Sequence, residues 1–233
     1  MKRFENRGGG NLGSAPAFTL AEVLVTLGII GVVSAMTVPT LMQNYQRKSY
    51  VTQLHKVYNE LQQAALQYQT ERNAVNLKEA GIRNDDSLDL FVKSKFKIVN
   101  DCGEKSTPCL APNSEYKKLS GNEAVGSTQT HFVALQSGVS LGYSCTVAAT
   151  NGNDNVVAVF DVDINGAKGP NIAGRDFFVL VLYNNGMIDD VGNSAPLTKD
   201  ERENLFNTIC NSTGKDWYGC FGKILNDNWE MNY

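Results

Sequence analysis

Hydrophobic and polar residues are distributed very unevenly along this chain. Residues 1–17 are polar and loop-like, with Lys2, Arg3 and Arg7 against Glu5, then Gly8-Gly9-Gly10 and Ser14-Ala15-Pro16-Ala17. From Phe18 to Val38 the sequence reads FTLAEVLVTLGIIGVVSAMTV, and its one charge is Glu22. A helix of that length spans a bilayer core of roughly 30 Å. After Pro39, which kinks a helix without having to end it, the pattern becomes one-sided. Tyr50, Leu54, Val57, Leu61, Ala65 and Tyr68 recur at steps of three or four. Arg47, Lys48, Gln53, Lys56, Glu60, Gln63 and Gln67 fill the opposite face. This predicts an amphipathic helix continuing over 39–73 and fading at Arg72-Asn73. The stripe lacks the sustained heptads of a coiled-coil stalk.

Residues 74–233 read as a globular head. Over 74–130 the pattern is irregular, apart from a short apolar run at Ser87–Val99. Strand signals follow at His131–Gln136, Val139–Val147, Asn155–Val162 and Phe177–Tyr183, the last turning through Asn184-Asn185-Gly186 into Met187–Val191. Thr198 with Glu201 three residues on predicts a capped helix over Thr198–Cys210, and an aromatic tail runs to Tyr233. The expected fold is α+β: a long N-terminal helix, apolar in its first half and amphipathic in its second, covering an antiparallel sheet.

Composition narrows the functional classes. The chain has 233 residues, 42% of them hydrophobic and 19% charged, which suits a folded core. Its net charge of −3 argues against a nucleic-acid binder. Two His residues leave little room for a His-based zinc site or triad. No Ser-His-Asp, Cys-His or phosphate-loop pattern is visible, so no catalytic residues are expected.

The basic residues before the apolar run place the N-terminus in the cytoplasm and the head outside. A secretory signal would have an apolar run about half as long and a small-residue cleavage site before Pro39. An uncleaved signal anchor fits the length and leaves Glu22 to be explained, either by a place near the membrane interface or by a partner. On the lenient insertion scale a carboxylate in lipid costs about 2.5–3.5 kcal/mol.

Ala17-Phe18-Thr19-Leu20-Ala21-Glu22, followed by VLVTLGIIGVVSAMTVPTL, resembles the leader junction of type IV pilins and type II secretion pseudopilins. The resemblance covers about 30 residues. It implies cleavage by a prepilin peptidase between Ala17 and Phe18, N-methylation of Phe18, and retention of the apolar helix. Where the family usually has Gly before the cut, this chain has Ala17. Glu22 falls where the family places its assembly Glu, and Pro39 where many members have a helix-kinking Pro. The free amine of Phe18 is cationic at neutral pH, the ordinary α-amino pKa being about 7.7–8. In the family's filaments this amine pairs with the Glu of a neighbouring subunit, which makes the buried charge tolerable and sets register. The implied partners are further copies, other pilin-like subunits, the prepilin peptidase, an inner-membrane assembly platform and the membrane. The implied location is the cytoplasmic membrane, then a periplasmic or extracellular filament.

With the head outside, disulfides are permitted. Cys102 with Cys109 and Cys210 with Cys220 are the locally closable pairs, although spacing does not fix the pairing and one of the five Cys must remain unpaired. Cys145 is expected as a buried thiol; the other reading leaves all five reduced. Asp161-Val-Asp163-Ile-Asn165-Gly166 matches the first half of an EF-hand loop but has Ile172 at position 12, leaving Asp176 as a late carboxylate. The pilin resemblance makes calcium plausible there. The other reading is a strand end and turn whose Asp side chains cap backbone amides. Two functional classes therefore stand: a structural filament subunit, or a membrane-anchored extracytoplasmic module or enzyme using His131, Cys145 or the Asp161/Asp163 pair.

Overall fold

A computed structural model of the chain describes residues 18–124, 126–145 and 154–233. It divides into two compact units, the first ending at Tyr45 and the second running from Gln46 to Tyr233. One continuous helix, α1 (Leu20–Glu71), passes through both. In the first unit no side chain between Phe18 and Tyr45 is buried, and Leu24, Leu27, Ile29, Ile30, Val33, Met36 and Leu41 are all exposed. Among the described residues this is the one helix long and apolar enough to cross a membrane, by length and composition. Its threonine hydroxyls are satisfied within the helix: Thr26 donates to the Glu22 carbonyl at 2.9 Å and Thr37 to the Val33 carbonyl at 2.9 Å. That is how polar side chains are accommodated where no water is at hand. The helix runs through Pro39, which has no N–H to offer the preceding turn.

In the second unit the same helix is one-sided. Val51, Leu54, Val57, Leu61, Ala64, Ala65 and Tyr68 are buried, close to the expected stripe. They pack on a six-stranded sheet in sequential order, every pair antiparallel: β1 (Ile98–Gly103), β2 (His131–Leu135), β3 (Ser140–Ser144), β4 (Val156–Asp163), β5 (Phe177–Tyr183) and β6 (Ile188–Asp189). Alternate residues point to opposite faces. Leu141, Tyr143, Phe160, Val162, Phe178, Leu180 and Leu182 join the helix core, whereas Phe177 and Val179 pack with Tyr116 and Trp217 on the far side. Gln62 fixes the β5–β6 hairpin to the helix, donating to the Gly186 carbonyl at 2.6 Å and accepting from Ile188 N–H at 3.3 Å. Gly186 takes φ +83°, which an L side chain resists, and that explains the Asn-Asn-Gly turn.

The expectation of irregular structure over 74–130 is corrected in part. α2 (Asp85–Lys95) is an amphipathic helix burying Leu88, Phe91 and Val92, with a reciprocal cap between Asn84 and Ser87, and β1 follows it. Past β1, the chain crosses the far face of the sheet and covers it. The predicted C-terminal helix is present as α3 (Lys199–Leu205) with its Thr198–Glu201 cap, running into one π turn, Phe206–Cys210. A further helix, α4 (Cys220–Asn226), precedes the aromatic tail. Trp229 stacks on His55 of α1, with centroids 3.9 Å apart, so the tail packs on the helix.

Candidate functional site

The first candidate is the start of α1. Thr19 N–H and Oγ1 each donate to Glu22 Oε2 at 2.8 Å, and Glu22 N–H donates back to Thr19 Oγ1 at 3.2 Å. This is a capping box, spelled by the T-x-x-E spacing. It satisfies backbone donors that a helix start leaves free and gives the lone carboxylate of the apolar run local partners. Phe18 is exposed, and Pro39 lies inside the helix. Ala17, with the rest of the expected leader, lies outside the described residues.

The second candidate is the acidic loop at the end of β4. Asp161 and Asp163 are both buried on the far face of the sheet. Ser127 Oγ donates to Asp161 Oδ2 at 2.6 Å, and Tyr116 OH donates to Asp163 Oδ2 at 2.7 Å. Gly142 permits the first contact, because a Cβ there would lie 2.8 Å from Ser127 Oγ. Asp176 accepts from Ile172 N–H at 2.6 Å, Asn171 N–H at 2.9 Å and Asn165 Nδ2 at 3.2 Å. Burial pushes Asp161 up to about 7. Burial, with the negative charge of Asp176 adding to it, pushes Asp163 up to about 8. Burial also raises Asp176.

Set against a calcium site, these residues do not fit. Among the described residues no group of three or more His, Cys, Asp or Glu is placed to hold a metal ion. The expected ligands Asp161, Asp163 and Asp176 accept protein hydrogen bonds from different donors instead of converging on one centre. Asn165 donates its amide N–H groups to Asp176 and to the Gly169 carbonyl, while Asn165 Oδ1, Asn171 Oδ1 and Asp161 Oδ1 are each buried without a hydrogen-bond partner. The loop is a clasp tying the segment over the far face to the sheet.

Cys102 and Cys109 form one disulfide, Cys210 and Cys220 another. Cys145 is a half-buried free thiol that donates to the Val157 carbonyl at 3.1 Å, and burial pushes it up to about 11, away from a reactive thiolate. His131 lies against Tyr143, with ring centroids 5.8 Å apart, and its Nδ1 is 3.2 Å from Thr130 Oγ1. The two have different partners, and among the described residues no hydrogen bond joins them.

Sequence patterns gave little notice of three charged groups that pin the head, Lys118, the Arg202–Asp189 pair and Asp190. Lys118 Nζ donates to the carbonyls of Ile209, Gly214 and Asp216 and to Ser212 Oγ. Arg202 grips Asp189 with two N–H groups, at 2.9 and 2.5 Å. Asp190 accepts from the N–H groups of Val191, Gly219 and Gly222 at the start of α4, and burial raises it to about 6. Each holds the C-terminal segment through partners distant in sequence. The consecutive Asp189-Asp190 after a hairpin strand was the one visible sign.

No family model, no curated protein and no solved structure matches this chain.

Proposed function

We propose that this chain is a membrane-anchored structural subunit that assembles through its N-terminal helix. Within that class it is a type IV pilin-like or type II secretion pseudopilin-like subunit. A prepilin peptidase cuts between Ala17 and Phe18, Phe18 is N-methylated, and the head lies outside the cytoplasmic membrane. Copies of the chain and other pilin-like subunits then join at an inner-membrane assembly platform. One observation carries this reading: a helix apolar on all sides, unburied from Phe18 to Tyr45, with a single carboxylate, Glu22, in its first turn. Exposed apolar area on that scale requires lipid or neighbouring helices. A lone carboxylate among them requires a cationic partner when the helices close together, and the Phe18 amine is that partner.

Glu22→Ala and Glu22→Gln, expressed with a prepilin peptidase and an assembly platform, test the proposal. Both variants should be cut and membrane-inserted like the parent, and their sheared filament fraction should fall to background. Parental filament yield from Glu22→Ala would refute the assigned role of the carboxylate.

A further inference from the structure

The head has a groove that the fold leaves open. Its volume is about 540 Å³, within the range of roughly 300–1,000 Å³ common for ligand clefts. Three segments line it, all in the second unit. α1 contributes Lys56, Glu60, Gln63 and Gln67 at helical spacing. The chain leaving α2 contributes Lys95 and Lys97, and the turn between β2 and β3 contributes Gln136 and Ser137. Ala64, Phe96 and Leu135 give the lining its apolar part; Ala64 and Leu135 are buried and Phe96 is half-buried.

The groove is cationic in a chain of net charge −3, with three lysines against Glu60. Lys95 Nζ is held by Glu71 at 2.6 Å. Lys56 Nζ lies 3.8 Å from Glu60 in an exposed pair, which binds it weakly. Lys97 has no ion pair among the described residues. Main-chain groups here are spent on the fold. Gln136 N–H donates to the Lys97 carbonyl at 2.8 Å, Gly138 N–H to the Leu135 carbonyl at 3.0 Å, and Phe96 N–H to the Val92 carbonyl at 3.0 Å. By contrast, the side chains of Gln63, Gln67, Gln136 and Ser137 make no hydrogen bond among the described residues.

The free groups therefore select the ligand. A peptide strand needs main-chain partners, and those are occupied. No arginine lines the groove, so it lacks the fork that grips phosphate, while a lysine ammonium suits a single carboxylate. Side-chain amides and a serine hydroxyl both donate and accept, as sugar hydroxyls do. We infer that this groove binds an acidic oligosaccharide of the uronate class, with Lys56 and Lys97 on its carboxylates and the Gln63, Gln67, Gln136 and Ser137 side chains on its hydroxyls. The C–H faces of the sugar rings lie on Phe96 and Leu135. The site is complete within one head and needs no neighbouring subunit.

The test uses the full chain in micelles of an uncharged detergent. The probes are fluorescent hexagalacturonate, its methyl ester and hexaglutamate. Hexagalacturonate should bind, and the methyl ester, which keeps the rings and loses the charge, should bind at least tenfold more weakly. Lys97→Gln should weaken hexagalacturonate about tenfold, the loss of one hydrogen bond between charged groups. Gln136→Ala should weaken the acid and the ester by the same factor, about fivefold. Both side chains are exposed, so unchanged amide exchange at Leu54 and Leu61 will show that the head remains folded. Lys168→Gln, on the exposed loop after β4, should leave binding unchanged. Bound hexagalacturonate should slow amide exchange over 63–67, 95–98 and 135–138. Equal affinity for acid and ester would overturn the role of the lysines. Hexaglutamate binding as tightly as hexagalacturonate would assign the groove to an acidic peptide and overturn the sugar assignment. No binding, or binding unmoved by Lys97→Gln, would overturn the site and leave the assembly role of Glu22 to its own test.

Discussion

The two halves of α1 share a backbone and differ in everything else. Up to Val38 the helix is apolar all round but for Glu22, and up to Tyr45 it buries nothing; from Val51 to Tyr68 it buries one stripe against the sheet. In the distal half the environment is built into the chain. In the proximal half it is left to be supplied, by lipid or by other helices in the proposed subunit. Helical pattern alone therefore does not say what a helix packs on. The distribution of apolar residues around the axis does.

Matched substitutions break this comparison most strongly. Leu61→Ala should cost the head about 2–5 kcal/mol, since a fully buried leucine leaves a cavity. Leu27→Ala, on the exposed half, should leave the head's denaturant midpoint unchanged. A loss of head stability from Leu27→Ala comparable to that from Leu61→Ala would erase the distinction.

The two faces of the sheet sharpen it further. The helix face is apolar, whereas the far face buries Asp161 and Asp163, with pKa values near 7 and 8, and Asp190 near 6 lies buried beyond β6. These values exceed the ordinary carboxyl value, so the folded chain holds more protons than the unfolded chain from about pH 4 to pH 8. That contribution to stability is complete at the acid end and is lost as pH rises through the folded values. The thermal midpoint of the head should fall between pH 5 and pH 8.5, and Asp163→Asn should flatten the slope. A midpoint that rises over this range would contradict the burial account.

The smallest effect belongs to the start of α1. Removing the Thr19 hydroxyl in Thr19→Val deletes half of the capping box and should cost the local helix about 0.5–2 kcal/mol. Faster amide exchange over Leu20–Val23 in micelles, with core exchange unaltered, is the expected result. Unchanged exchange at those amides would mean that the cap does not hold the helix start.

Legibility followed the range of the interactions. The halves of α1, the β5–β6 hairpin with its Asn-Asn-Gly turn and the Thr198–Glu201 cap are set by residues within a few positions of each other. α2 escaped because its run is short and its cap uses Ser87 where a Glu is usual. β1 escaped because it is a mostly exposed edge strand with few apolar residues. The cover over the far face depends on Tyr116 meeting Asp163 and Ser127 meeting Asp161, pairings that no local pattern spells. The same limit governs the candidate sites. Asp161, Asp163 and Asn165 have ligand-like spacing, yet what they bind is decided by donors far away in the chain. Glu22 was marked by its isolation, and its local partner Thr19 stood three residues before it.

The most direct test of the proposed subunit is the mass of its N-terminal peptide, taken from cells that contain a prepilin peptidase. The account predicts a peptide that begins at N-methylated Phe18, with the apolar helix retained. A chain still carrying residues 1–17, or one cut after Val38, would contradict it.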